Sequence, residues 1–403
     1  MRRRKIFYLP GFDPFPPRRY RELYRREFAL QAEFSGHSFQ QSAARGTPNG
    51  WHVAATVEGQ AVSAEFEVLV WSDLVKASMG QGIGATYWQL FRTCRTYFGA
   101  GSFRRLMGLR KGPMIAALFP VVILLAELMF ALGVAATSLW FTRSLRGVPA
   151  LVAWPLALAV LWGVLWLFRK GDGRLFAWYL IHDYAFTASC GGAYPPPLAE
   201  RLQQFAAQIG AALDGAYDEV LVVGHSTGAH LAISALATLC RDRGGADGRV
   251  GGPTLSLLTL GHVVPMVSYL PKADQLRADL ALVAESPALN WVDVTAPGDG
   301  CTFALCDPVA VSGMAGPDTR GPLVLSAAFS RTLSPALFRR LRRRYFRLHF
   351  QYLCAFDNLS GRPDDYDYFA VTAGPLTLWQ RFGRRKPSAS RITRPQNPHG
   401  AAT

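Results

Sequence analysis

The chain has 403 residues, 50% of them hydrophobic and only 18% charged, and carries a formal net charge of +15. That length holds one large α/β domain plus an insertion. The positive balance calls for an anionic partner, and without a nucleic-acid-binding motif the partner expected is a membrane surface, not nucleic acid.

The basic start, Met1-Arg2-Arg3-Arg4-Lys5, is followed by only four apolar residues, Ile6 to Leu9, before Pro10-Gly11. That run is too short for a signal peptide, so Lys5 to Leu9 reads as a first strand. Arg18 to Phe34 reads as a helix, and His37 to Asn49 as a polar loop. Trp51 to Val57 and Ala64 to Trp71 are rich in β-branched and aromatic residues and read as two strands. Gly80, Gly82 and Gly84 lack the strand context of a dinucleotide fingerprint and read as a flexible loop.

From Pro113 the chain changes character. Met114 to Trp140 spans 27 residues with one charge, Glu127, and Val148 to Phe168 spans 21 with none. Either is long enough to cross a hydrocarbon core of roughly 30 Å. Two adjacent segments, apolar on every face, read as a transmembrane hairpin. Arg104, Arg105, Arg110 and Lys111 precede it and Arg169, Lys170 and Arg174 follow, against Arg143 and Arg146 in the connecting loop. This asymmetry places both flanks, and with them both termini, in the cytoplasm. Glu127 is assigned no role.

Beyond the hairpin, Arg174 to Cys190 and Leu198 to Leu213 read as helices. Asp218 to Cys240 then runs DEVLVVGHSTGAHLAISALATLC. Apolar strand formers end in Gly224-His225-Ser226-Thr227-Gly228, and Ala229, Leu231, Ala232, Ala235, Leu236 and Leu239 follow with helical spacing. This is strand, sharp turn and helix, with a serine at the tip and an uncharged turn. Arg241 to Pro253 reads as a Gly-rich loop. Thr254 to Leu260 and Asn290 to Thr295 read as strands around a helix at Ala273 to Glu285, an alternation that favours a parallel sheet. Ser334 to Tyr352 reads as one basic helix, and 381–403 as a disordered basic tail.

At the Gly-His-Ser-x-Gly turn the chain resembles the α/β-hydrolase superfamily in its lipase and thioesterase form. The resemblance implies a mostly parallel sheet with helices on both faces, a triad in the order serine, acid, histidine, and ester or thioester hydrolysis. It covers the chain outside the insertion. The expected organisation is hydrolase residues 1–112 and 171–380, a hairpin at 113–170, and the tail. Six cysteines, at 94, 190, 240, 301, 306 and 354, have no framework or C-x-x-C spacing and indicate neither zinc nor redox chemistry. No metal or cofactor is expected.

Serine needs a base, and the base needs an orienting carboxylate. Family order puts both after Ser226, with the acid in a loop following a strand. Asp299, in Pro297-Gly298-Asp299-Gly300 after the strand at Asn290 to Thr295, is the expected acid. Asp307 is the alternative, and Asp293 lies within the strand. Of the eight histidines only His349 and His399 follow Asp299. His349, set among aromatics, is the expected base, because His399 lies in the tail. Two backbone N–H groups must meet the developing oxyanion; those of Phe12, after the first strand, and Thr227, after the nucleophile, are the candidates. The expected function is a membrane-anchored serine esterase or lipase acting on acyl esters, with membrane lipids as partner. A thioesterase with the same triad and a non-catalytic membrane-associated scaffold are the alternatives. Oligomeric state is not legible.

Overall fold

The computed structural model describes residues 3–397 apart from 45, 146–147, 244–251 and 363–364, together with 399. Eight strands form one sheet in the order β2-β3-β4-β1-β5-β6-β7-β8. They are β1 (Arg3–Leu9), β2 (Ser38–Ala43), β3 (Gly50–Val57), β4 (Gln60–Val68), β5 (Glu219–His225), β6 (Thr254–Leu260), β7 (Leu289–Thr295) and β8 (Leu323–Ser326). From β4 through β1 to β8 every neighbouring pair is parallel, while β2 and β3 are antiparallel additions at one edge.

The helices, in chain order, are α1 (Arg18–Ser35), α2 (Ser72–Met79), α3 (Ile83–Gly99), α4 (Ser102–Leu109), α5 (Lys111–Ser144), α6 (Ala150–Gly171), α7 (Ala177–Ala188), α8 (Pro196–Leu213), α9 (Gly228–Asp242), α10 (Val264–Ser268) and α11 (Asp274–Glu285). Shorter helical turns follow. Successive strand residues point to opposite faces, and both faces are covered, so the central strands are apolar throughout. Ile6, Tyr8, Leu221 and Val223 pack with Tyr24 and Phe28 of α1 and with Tyr352 and Phe369. Phe7, Leu9, Val220 and Val222 pack against Leu202 and Phe205 of α8, Leu236 of α9 and Leu280 of α11.

The connectivity fixes where a site can form. After β1 the chain builds the sheet toward β4, β3 and β2; after β5 it builds in the other direction, toward β8. The C-terminal ends of β1 and β5 therefore flank a topological switch point, where the departing loops leave a crevice. The loops there are Pro10-Gly11-Phe12 and Ser226-Thr227.

Four expectations are corrected. The polar segment expected as a loop contains β2, paired antiparallel to β3 from Ser38↔Thr56 to Ala43↔Trp51. It is an edge strand, exposed along most of its length, so no buried face imposes an alternating pattern. The loop expected at Gly80, Gly82 and Gly84 is shorter: Gly80 and Gly82 lie in it, between α2 and α3, while Gly84 is inside α3. The basic segment expected as one helix breaks into Pro335–Leu341, Tyr345–His349 and a 3-10 turn at Gln351–Leu353. Its arginines crowd one another at helical spacing, which disfavours a continuous helix, and Arg344 leaves the helical region at φ −114°, ψ 72°. The tail expected to be disordered is docked as far as 397. Ile392 bridges to Cys306, Asp307 N–H donates to Ile392 O at 2.9 Å, and Asn397 donates to Ser268 O at 2.8 Å.

α5 and α6 are long and apolar enough to cross a membrane, and most of their surface is not buried in the protein. They pack on each other, and α5 packs on α7. Glu127 of α5 accepts a hydrogen bond from Trp178 Nε1 of α7 at 3.0 Å. Arg146 of the connecting loop lies outside the described residues.

Candidate active site

β5 is buried end to end and delivers the chain to Ser226, which adopts φ +57°, a left-handed conformation uncommon for a side-chain-bearing residue. Such strain at the tip of a turn is held only when its surroundings over-determine it. Ser226 N–H donates to Leu260 O of β6 at 2.9 Å, and Ala229 N–H donates back to Ser226 O at 3.1 Å. The flanking glycines are required by contact. A Cβ on Gly228 would lie 2.2 Å from Leu9 O, and one on Gly224 would lie 2.7 Å from Ala229 Cα.

The loop after β1 lies against this turn. A Cβ built on Gly11 would sit 3.1 Å from Ser226 Cβ. The loop is fixed by Trp71, whose Nε1 donates to Pro10 O at 3.0 Å, and by Tyr179 of α7, whose hydroxyl donates to Phe12 O. Phe12 and Thr227 are buried, and their N–H groups have no protein acceptor among the described residues. Buried N–H groups are nearly always paired, so two beside one serine are available to an incoming oxygen.

His349 closes the short helix Tyr345–His349, and its Nδ1 lies 2.7 Å from Asp299 Oδ2. Asp299 is fully buried and also accepts from Tyr352 Oη at 3.1 Å and from Cys301 N–H at 2.9 Å. The His349 segment is tied to the serine turn from both sides. His225, buried and pushed down to about 3 by burial, is a neutral donor to His349 O, 2.9 Å from its Nε2. His349 Cε1 lies 3.2 Å from where a Cβ on Gly261 would be, and Gly261 directly follows the β6 residue that anchors Ser226. Thus Ser226, Thr227 and Phe12 sit at the switch-point crevice, and the His349–Asp299 pair is held beside the serine turn through His225 and Gly261.

Asp307 is engaged elsewhere. Its carboxylate caps the helical turn Pro308–Val311, accepting from Val309 and Ala310 N–H at 3.0 and 3.1 Å. Asp293 stays inside β7, accepting from Thr259 Oγ1 at 2.7 Å, and burial raises its carboxyl far above the ordinary range. Asp299, Cys301 and His349 offer ligand atoms within 4.8 Å of one another. This group is made of the hydrogen-bonded His–Asp pair itself.

Sequence reasoning missed Asp183. It is the one acidic residue of α7, and it faces Thr227 with 3.5 Å between Oδ1 and Oγ1. A lone carboxylate on a largely apolar, aromatic helix was the available signal. Desolvation raises its carboxyl from 3.8 to about 7, opposed by Thr227 and by the nearby His349. Folded Asp183 therefore keeps a proton that the unfolded chain has lost between those two pH values. This contribution favours folding at low pH and is lost as pH climbs to about 7. Asp183→Asn has no such titration. Its melting temperature relative to wild type should rise across that window and level off above it, as thermal unfolding followed by circular dichroism would report. A constant offset across that window would mean that folded Asp183 titrates as it does in the unfolded chain.

Comparison with family models, curated proteins and solved structures gives no match for this chain.

Proposed function

We propose that this chain is a membrane-anchored serine hydrolase of the α/β-hydrolase type that cleaves acyl esters, with membrane lipids as its substrate class. The observation that carries this reading is the buried Asp299–His349 hydrogen bond at the crevice that also holds the strained Ser226. Position on the sheet, backbone strain, a base with its orienting acid and a pair of free N–H groups all fit acyl transfer and have no common structural explanation.

The proposed cycle is acyl transfer. Ser226 Oγ attacks the ester carbonyl while His349 Nε2 takes its proton. Asp299 accepts from Nδ1–H, which fixes the tautomer that leaves Nε2 free and stabilises the imidazolium that forms. The carbonyl oxygen becomes negative between the N–H groups of Phe12 and Thr227, at the N-terminal end of α9, where the helix dipole favours negative charge. His349 returns the proton to the departing alcohol. Water then attacks the acyl-enzyme by the same route, releasing the acid and restoring Ser226.

The membrane side of the reading is supported by what the hairpin touches. Its first helix begins beside the acid loop: Arg110 Nε donates to Ala304 O at 2.8 Å, and a Cβ on Gly112 would sit 3.3 Å from Gly300 O. A cleft of about 460 Å³ lies between them, lined by Met107, Lys111, Pro113, Pro297, Asp299 and Thr302 among others. α7 joins the two regions, bonding Glu127 of the hairpin through Trp178 and the Phe12 loop through Tyr179. Acyl chains would then reach Ser226 laterally from the bilayer, on the cytoplasmic side by the charge asymmetry of the flanks.

Replacing only the tip, 134–160, with a short Gly-Ser linker keeps the packed residues Leu124, Ala131 and Leu165. This variant should hydrolyse short soluble p-nitrophenyl esters like wild type. On long-chain esters in vesicles it should lose on the order of 10²-fold, the low end of what tethering contributes through effective concentration. Equal losses on both substrates in a folded variant would show that the tip supports the fold and delivers nothing.

A further inference from the structure

The hairpin is longer than a bilayer requires, and α3 packs along part of the excess. α5 has 34 residues, about 51 Å at 1.5 Å per residue, against a hydrocarbon core of roughly 30 Å. α6 ends with Arg169 and Lys170 in its last turn, a cationic collar suited to phosphate headgroups. The Phe130 and Phe168 rings meet at 5.8 Å, which sets that end of α6 level with the middle of α5. α5 therefore continues past the level of that collar.

α3 crosses this boundary. Ile83 and Leu90 share one packed core with Leu124 and Ala131 of α5, Leu165 of α6 and Trp178 of α7. Tyr87 Oη donates to Leu124 O at 3.1 Å. At the start of α3, a Cβ on Gly84 would lie 3.8 Å from the Trp162 ring. Trp162 is seven residues along α6 from Arg169, about 10 Å toward the tip. The first turn of α3 therefore sits on the hydrocarbon side of the cationic collar.

The outer face of α3 matches that position. Trp88, Phe91 and Phe98 fall on one stripe and are 60%, 56% and 54% exposed, and the rings of Trp88 and Phe91 stack at 5.5 Å. Arg92 and Arg95 are exposed on the same side. Between Asp73 and Glu127 the sequence has seven Lys or Arg and no Asp or Glu. Exposed aromatics with basic neighbours and no carboxylate suit a bilayer interface containing anionic lipid.

We propose that the N-terminal half of α3 and the Gly80–Gly84 corner lie in the bilayer interface beside the hairpin, with Trp88 and Phe91 among the acyl chains and Arg92 and Arg95 at anionic headgroups. Three helices, not two, then contact lipid. The third holds α7, and through it the Phe12 loop, at a fixed depth. The inference rests on α5 and α6 being membrane spans.

Site-directed spin labelling tests it in the full-length protein, in phosphatidylcholine–phosphatidylglycerol vesicles. The half-buried Cys94, Cys190 and Cys301 are replaced by alanine. Nitroxides are placed singly by Trp88→Cys, Phe91→Cys, Val152→Cys near the hairpin tip, and Asp242→Cys at the far end of α9. Each label is scored for collision with oxygen, which concentrates in lipid, against a water-soluble nickel chelate. The expected result is that labels at 88 and 91 match 152 in favouring oxygen several-fold over the label at 242. Labels at 88 and 91 that behave like 242, while 152 remains in lipid, would overturn the inference, leave the hairpin reading standing and free the stripe for a protein partner. A water-exposed label at 152 would defeat the hairpin reading and this inference with it. A protein with its native cysteines gives an independent check. Brominated lipid should quench the share of emission lost in Trp88→Phe; an unquenched share would again overturn the inference.

Discussion

Ser226→Ala and His349→Ala should each lower kcat for ester hydrolysis by on the order of 10⁶, and the double variant should be barely slower than either alone. The near-identity of the three values is the informative part. Neither residue helps without the other: the hydroxyl is a weak nucleophile without a proton acceptor, and the imidazole has nothing to activate without the hydroxyl. What survives is catalysis by the N–H groups of Phe12 and Thr227 and by substrate binding, which all three variants retain. Additive losses would instead place His349 in a role separate from Ser226. The variants should stay folded, because Ser226→Ala removes one half-buried oxygen and His349 lies on a five-residue helix at the edge of the core.

Asp299→Asn should cost roughly 10⁴ in kcat, while Asp307→Asn stays near wild type. An amide at 299 can still pair with His349 Nδ1, but it can donate, which favours the tautomer with the proton on Nε2 and blocks attack. It also withdraws the charge that stabilises the imidazolium. Tyr352 and the Cys301 N–H continue to hold the side chain, so the loss is electronic and not a collapse of the loop. Asp307 caps a helical turn, and Asn serves nearly as well there; only Asp307→Ala should show a loss, of about 1 kcal/mol in stability. A slow Asp307→Asn with a near-normal Asp299→Asn would reassign the acid and leave the serine turn untouched.

What the sequence carried depended on how local the determinant was. The Asp218–Cys240 turn is written in consecutive residues, because the close crossing of β5, the β1 loop and α9 admits only glycine at 224 and 228. β5, β6, β7, α8 and α11 were legible because strands buried on both faces and amphipathic helices impose period and composition directly. Asp299 and His349 came from chain order; the structure adds their 2.7 Å contact, which order alone cannot show.

The features missed are tertiary. β2 is polar because it is an edge. Trp71 reads as the end of a strand, yet its indole braces the Pro10 carbonyl from beyond β4, whose last residue is Val68. Asp183 gains its meaning only when α7 is laid across the serine turn. The docked tail depends on Ile392, an isolated branched apolar residue in an Arg- and Pro-rich background, which finds Leu305 and Asp307 only in the folded chain. The buried Arg4–Glu219 pair, 2.6 Å apart, is another case. Its arginine also donates to the carbonyls of Val371 and Leu376 and pins the C-terminal segment to the sheet, although Arg4 reads as part of a basic N-terminal run.

The central claim is that Ser226 is an activated nucleophile, and covalent labelling addresses it most directly. Full-length protein in detergent micelles is treated with a fluorophosphonate probe, digested, and the modified peptide is sequenced by mass spectrometry. The account predicts a single adduct on Ser226 that is absent from Ser226→Ala and forms far more slowly in His349→Ala, because the probe reports the activated hydroxyl and not its mere exposure. No adduct on folded wild-type protein, or an adduct that persists in Ser226→Ala, would contradict it.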